Sequence, residues 1–291
     1  MTDQTITLTD GRILCYAVYG PETGQALWYF HGTPSSRLEP LLLDAYSINL
    51  NHLLEPYNLK LIAIDRQGMG FYSYNKEENF LSFTKDVEQL RMFLKIDRCP
   101  VLCWSGGGPF ALAMANQYPE QISGVYIFCG LSRRLDDEVL KEMGTNKIYF
   151  NTARYAPWIL DSVMSLIRKS KINYLPPQKL TGLPDVDYQL LNDPKHLRRL
   201  TDYTLKEACR NGARGPVHES RMYFNHYGFN LSDIMQPVHY WWGTEDLSVI
   251  RLHAEAVEKQ VPHSTMHYYQ GEGHFSLFLK YFEEALATIR Q

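Results

Sequence analysis

The sequence predicts an α/β protein with a mostly parallel central sheet flanked by helices and interrupted once by an inserted helical block. Three observations carry this. Runs that are apolar at nearly every position (26–30, 59–64, 100–104 and 125–129) alternate with helical patterns, as expected of parallel strands covered on both faces. That alternation stops at Leu131 and resumes after Pro237. The third run also passes through Ser105 and a string of glycines straight into a helical pattern, which requires a tight strand-to-helix turn.

Element by element, residues 5–9 and 12–19 are β-rich and flank Asp10-Gly11, a two-residue hairpin signal. Residues 26–30 form a buried strand ending at His31-Gly32, and 59–64 form another ending at Asp65. A helix over 83–94 places Phe83, Val87, Leu90 and Leu94 on one face. Strand 100–104 leads to a helix over 110–118 stopped by Pro119, and strand 125–129 follows. Between 131 and 234 come helical stretches at 136–142, 158–168, 187–191 and 196–209, separated by Pro and Gly loops, with Arg210–Glu219 as a polar, Gly-rich turn. Strand 238–242, helix 252–260, strand 265–269 and an amphipathic helix over 277–289 complete the chain. The core is therefore 1–130 plus 235–291, with 131–234 inserted in it.

Composition narrows the function classes. The 291 residues carry 29 Lys+Arg against 32 Asp+Glu, a formal net charge of −3, which argues against a nucleic-acid or anionic-membrane partner. Hydrophobic residues at 45% and charged residues at 21% are those of a folded globular protein. No apolar run is long enough for a transmembrane helix, and Met1-Thr2-Asp3-Gln4 does not begin a secretory signal, so a cytoplasmic location is expected. The five cysteines have no CxxC or Cys/His ligand spacing and read as reduced packing residues. There is no metal-ligand cluster, dinucleotide fingerprint or complete phosphate loop, so no cofactor is expected.

The strongest chemical signal is Cys103-Trp104-Ser105-Gly106-Gly107-Gly108-Pro109. A serine at the apex of a strand–turn–helix needs small neighbours where strand and helix nearly touch. Gly107 meets that need, and Cys103 stands where glycine is usual but is still small. A phosphate-binding loop would continue Gly-Lys-Ser/Thr, whereas Pro109-Phe110-Ala111 follows the glycines.

With this motif the chain resembles the α/β-hydrolase superfamily from about Asp10 to its C-terminus. The motifs appear in the superfamily's order: His31-Gly32-Thr33-Pro34, Asp65-Arg66-Gln67-Gly68-Met69-Gly70, Ser105, Asp246 and His274. The resemblance implies an α/β-hydrolase fold with 131–234 as a helical cap. It also implies Ser105 as nucleophile, His274 in Gly-Glu-Gly-His as its base, and Asp246 behind the base in preference to the adjacent Glu245. The oxyanion donors are then the backbone N–H groups of Gly106 and Thr33. His31 braces the Thr33 loop, and Arg37, Asp65 and Arg66 form buried polar bracing nearby. The serine at 105, where dehalogenases and epoxide hydrolases carry aspartate, disfavours those chemistries. The His-Gly-Thr-Pro loop and Trp-Ser-Gly-Gly-Gly-Pro turn are similar to a branch of bacterial serine esterases that includes the macrolide esterases.

The resulting expectation is a serine hydrolase acting on a small-molecule carboxylic ester or lactone, with a macrocyclic lactone as the substrate that the resemblance to macrolide esterases implies. The alternatives are a ligand-binding protein on the same scaffold, or hydrolysis of thioester, amide or carbon–carbon bonds. His31, Trp104, Tyr149, Trp158 and Glu219 are the candidate pocket residues. For Glu219 two readings stand: contact with an amine-bearing substrate, or a surface salt bridge with Arg214 or Arg221. Eleven aromatics from Tyr149 to Phe229, Tyr174 among them, make an apolar pocket with aromatic walls the expected feature of the insert.

Overall fold

The computed structural model describes residues 3–169 and 183–290, so Tyr174 lies outside the described residues. Eight strands form one sheet in the order β1-β2-β4-β3-β5-β6-β7-β8. They are β1 (Gln4–Thr7), β2 (Ile13–Tyr19), β3 (Gln25–Phe30), β4 (Leu59–Ile64), β5 (Cys99–Trp104), β6 (Ile122–Phe128), β7 (Val238–Gly243) and β8 (Ser264–Tyr269). Only β2 is antiparallel to its neighbours, β1 and β4; every pairing from β4 across to β8 is parallel. β5 is buried at every position, as its unbroken apolar run requires.

The β1–β2 turn departs from the expected two-residue hairpin. Gly11 N–H donates to Leu8 O at 2.9 Å, Leu8 N–H donates to Arg12 O at 2.8 Å, and Gly11 has φ +85°. Glycine at the left-handed position closes a three-residue loop there, and Asp10 is not one of a two-residue pair.

The helices are α1 (Leu42–Ala45), α2 (Leu50–Leu54), α3 (Phe80–Phe93), α4 (Gly108–Gln117), α5 (Asp137–Glu142), α6 (Asn146–Tyr155), α7 (Pro157–Lys169), α8 (Asp185–Leu191), α9 (Pro194–Thr201), α10 (Arg214–Met222), α11 (Arg251–Gln260) and α12 (His274–Ile289). In α3, Phe80, Phe83, Val87 and Leu90 form the buried stripe, and α12 buries Leu277, Phe278, Phe282, Ala285 and Leu286 in the same way. α5 to α10 all lie between β6 and β7, which are adjacent parallel strands, so this stretch leaves and rejoins the sheet at one place. Within it Ala153, Leu160, Met164, Cys209, Ala213 and Val217 make a small apolar cluster separate from the main core.

Two details of this stretch differ from expectation. The helix expected over 196–209 is α9 followed by a single π-helical turn, Asp202–Lys206. The Gly-rich segment after Arg210 is not a turn throughout: α10 begins at Arg214. Pro216 sits in its first turn, where a missing N–H is harmless. A Cβ on Gly215 would come within 2.5 Å of the Gly68 backbone. The glycine that suggested a turn is there because the helix start presses on the 67–68 loop.

β3 runs out to β4 on one side, while β5 returns to the other side of β3. The carboxyl ends of β3 and β5 thus flank a topological switch point, the place where an open α/β sheet leaves a crevice for ligand. His31-Gly32-Thr33 and Ser105 leave the sheet at that point.

Candidate active site

At the end of β5 the chain turns so sharply that Ser105 adopts φ +54°, a conformation L-residues avoid. One 3-10 turn, Ser105–Gly107, then leads into α4. The glycines have steric reasons: a Cβ on Gly107 would stand 2.3 Å from Phe30 O, and one on Gly108 would stand 2.2 Å from Leu131 O. Ser105 O in turn accepts Leu131 N–H at 3.0 Å.

His274 Nδ1 meets Asp246 Oδ2 at 2.8 Å, both side chains being buried. The other oxygen, Asp246 Oδ1, accepts the N–H groups of Ser248 and Val249 at 2.7 and 2.8 Å. Its neighbour Glu245 is exposed and does not reach the imidazole. Burial alone would lower the His274 pKa, but the charge and hydrogen bond of Asp246, helped by Asp187 and Glu39, outweigh it and hold the imidazole above its usual range. Trp104 stacks on the His274 ring at 5.2 Å between centroids.

His274 opens α12, and the cap of that helix comes from elsewhere. Asp187 of α8 accepts the N–H groups of His274, Phe275 and Ser276 at 2.7, 3.1 and 2.9 Å. Asp187 is fully buried, and a Cβ on Gly273 would strike it. Nothing in the sequence around position 187 announces this role, because the partner helix lies 87 residues away.

The loop after β3 is held by buried charges. Arg66 donates to His31 O and, at 2.6 Å, to Gly32 O. Gly32 O also receives His31 Nδ1 at 2.8 Å, and Gly32 N–H donates to Glu39 at 2.8 Å. Burial lifts the Glu39 carboxyl to about 7. Behind Arg66 stands Glu219, bonded to its Nε and, at 2.7 Å, to its Nη2. Thr33 Oγ1 contacts Glu219, Arg66 and Tyr223, and Tyr223 donates to Gly106 O at 2.8 Å. Among the described residues no acceptor meets the N–H of Thr33 or of Gly106, and both residues border the crevice at Ser105.

A cavity of about 410 Å³ opens over Ser105 and His274. Thr33, Trp104 and Tyr149 line it as expected, with Tyr149 bonded to Ser220 at 2.7 Å. Three expected pocket residues do not. His31 is fully buried behind its loop, where burial drives its pKa well down and keeps the ring neutral. Trp158 is 66% exposed on the outer side of α7, because its helix turns Leu160 and Met164 inward instead. Glu219 points away from the cavity into the ion pair with Arg66, so it neither faces the cavity nor pairs with Arg214 or Arg221.

The expected aromatic walls are also corrected. Tyr223, Tyr227 and Phe229 pack into the main core, while the cavity is walled by Met143, Leu160, Val163, Met164, Ile167, Leu183, Leu200, Leu205 and Leu247. Tyr223, Tyr227 and Phe229 thus stabilise the base of the insert, and mostly aliphatic side chains face the cavity beside Trp104, Tyr149 and Phe275.

Arg37, Asp65 and Arg66 are buried polar bracing, as expected. Arg37 binds Asp65 at 2.9 Å, Glu207 at 2.8 Å and Asp3 at 2.8 Å. All five cysteines are buried and unpaired. Cys129, Asp246 and His274 place ligand-type atoms within 4.8 Å of one another. Asp246 is already saturated by His274 and two N–H groups, and burial holds the Cys129 thiol far up in its neutral form. The donor set suits proton handling better than metal binding.

Sheet order, serine turn and buried His–Asp pair together define a class. The chain belongs to the alpha/beta hydrolase fold family, whose model matches residues 26–281. Its fold is similar to a hydrolase from Pseudomonas aeruginosa PA01 (TM-score 0.71, 17% identity, 99% of this chain and 98% of that one). It is also similar to the esterase RhEst1 from Rhodococcus sp. ECU1013 (TM-score 0.68, 17% identity, 100% and 98%). A thermophilic esterase from Thermogutta terrifontis aligns comparably (TM-score 0.68, 18% identity, 100% and 97%). No curated protein matches the sequence. Among the described residues no helix is long and apolar enough to cross a membrane.

Proposed function

We propose that the protein is a serine hydrolase that cleaves carboxylic esters or lactones through an acyl-enzyme. The observation that carries this reading is the buried 2.8 Å His274–Asp246 pair, sharing one cavity with Ser105. His274 takes the proton of Ser105 as Oγ attacks the carbonyl, and Asp246 stabilises the imidazolium that forms. The tetrahedral oxyanion is met by the N–H groups of Thr33 and Gly106. His274 then protonates the leaving alcohol, and water, activated by the same imidazole, releases the acid. In a lactone the leaving alcohol stays tethered, and the net change is the gain of one water.

The helices between β6 and β7 act as the cap over this site. Their aliphatic wall supports a neutral, apolar acyl or alkyl group, since among the described residues the titratable side chains at the cavity are Glu39 and His274 on its floor together with Tyr149. The esterase likeness of the structural neighbours is consistent with this choice of bond. A macrocyclic lactone, suggested by the His31 and Ser105 motifs, carries the same type of bond.

Mass spectrometry of p-nitrophenyl esters, small lactones and macrocyclic lactones, comparing wild type with Ser105→Ala, tests the proposal. Hydrolysis and fluorophosphonate labelling are expected in the wild type and absent in the variant. Hydrolysis retained by Ser105→Ala would overturn it.

A further inference from the structure

The polar network under the cavity does more than hold a buried ion pair. We propose that Arg66, Glu219 and Tyr223 are positioning residues that aim the backbone donors at Thr33 and Gly106, so that helix α10 of the insert sets the geometry of the oxyanion site. The inference rests on the proposed acyl-transfer function and adds a control point outside Ser105, His274 and Asp246.

At Thr33 peptide planarity fixes the direction of the donor. The N–H of Thr33 and the C=O of Gly32 belong to the same trans peptide, so they point in opposite directions and turn together. Arg66 Nη2 grips Gly32 O at 2.6 Å, and His31 Nδ1 approaches the same oxygen at 2.8 Å. Holding the oxygen from below aims the N–H above. A cation on the carbonyl also polarises the peptide and makes its N–H a stronger donor. Arg66 cannot swing away: Glu219 holds Nε and Nη2, and the guanidinium lies 4.6 Å over the Phe110 ring.

Gly106 by contrast has conformational freedom that must be restrained. Glycine is the least constrained residue, and no side chain is possible here, since a Cβ would stand 2.2 Å from Thr33 Oγ1 and 2.7 Å from Tyr223 Oη. The constraint comes from outside: the peptide carrying the Gly106 N–H is held at Ser105 O by Leu131 N–H at 3.0 Å, and the following peptide is held at Gly106 O. Tyr223 donates to Gly106 O at 2.8 Å and lies 2.6 Å from Thr33 Oγ1, joining the two donor-bearing loops through one hydroxyl. Glu219 and Tyr223 are four residues apart, one helical turn, and therefore act from the same face of α10.

Tyr223→Phe and Glu219→Gln in the full chain test this, read with a p-nitrophenyl ester and with a trifluoromethyl ketone that mimics the tetrahedral oxyanion. In Tyr223→Phe we expect kcat per titrated active site to fall about tenfold, a part of the roughly 10²–10³-fold lost when an oxyanion donor is removed outright. KM should stay unchanged, affinity for the ketone should fall in parallel with kcat, and the acid limb of the pH profile should not move, because His274 and Asp246 are untouched. Glu219→Gln should lose more, since it releases Arg66. If Glu219→Gln does not fold, Tyr223→Phe decides alone, as it deletes a single oxygen. Wild-type kcat and ketone affinity in folded Tyr223→Phe would overturn the proposal, as would a loss of melting temperature with kcat unaltered. Hydrolysis retained by Ser105→Ala would instead overturn the underlying function, so the two failures are distinguishable.

Discussion

Ser105, His274 and Asp246 were legible because each occupies a position defined by its neighbours in the chain: a glycine-rich turn after an apolar strand, or the loop after a late one. Between the adjacent carboxylates the sequence already favours Asp246, and in the structure it is Asp246 that turns inward to the imidazole while Glu245 is exposed. The consequence of that pairing can be measured. On the proposed mechanism His274 must be neutral to accept the serine proton, so kcat/KM is expected to rise with pH through its pKa, which Asp246 holds above the usual imidazole range. Asp246→Asn removes the charge while keeping the shape. We expect kcat to fall roughly 10⁴-fold, as when a triad acid is neutralised elsewhere, and the acid limb of the residual activity to move to lower pH. A pH–rate profile of the variant with an unshifted limb would contradict the assigned pairing.

At the scale of elements, strands and long amphipathic helices were found where periodicity placed them, whereas α6 was missed and α10 was taken for a turn. The α10 case has a physical cause. Gly212, Gly215 and Pro216 are local breaker signals, yet Gly215 is required by close approach to Gly68 and Pro216 is tolerated in a first turn. Capping was likewise invisible, because the group that caps α12 belongs to α8. Asp187→Ala should therefore destabilise the fold by about 1–2 kcal/mol as a lost cap, with a further penalty for the buried N–H groups left unpaired. Because His274 is the first residue of that helix, the rate of fluorophosphonate labelling at Ser105 should drop as well. Urea denaturation and labelling kinetics measured together check both parts.

Across the whole molecule, Arg37 joins three regions of the chain: Asp3 near the start, Asp65 after β4 and Glu207 in the insert. Burial lifts Asp65 to about 6 even with Arg37 beside it. A folded-state pKa above the unfolded value means that this group's contribution is fully present below about 3.8 and is lost as pH rises through about 6. Arg37→Ala removes the compensating cation, and breaking such a buried pair costs about 3–5 kcal/mol when the carboxylate is charged. The deficit should be small at pH 4, where Asp65 is protonated in the folded state of both proteins, and full at pH 8. Thermal unfolding of both proteins at the two pH values tests this, and an equal deficit at both would count against it.

The sequence by itself determined the sheet, the interruption in it, the serine turn and the order of the residues around it. Those features are written in the period of apolar residues and in the small residues that a tight turn demands, both of which depend on near neighbours in the chain. The tertiary structure alone decided which polar groups meet inside. Glu219 has arginines close by at Arg214 and Arg221, yet it pairs with Arg66, 153 residues away, because the start of α10 presses on the 67–68 loop and buries the two side chains together. Tyr223 reaches Gly106 across 117 residues, and Asp187 reaches His274 across 87. A buried polar side chain is stable only beside the partner that folding brings to it, and no local pattern names that partner.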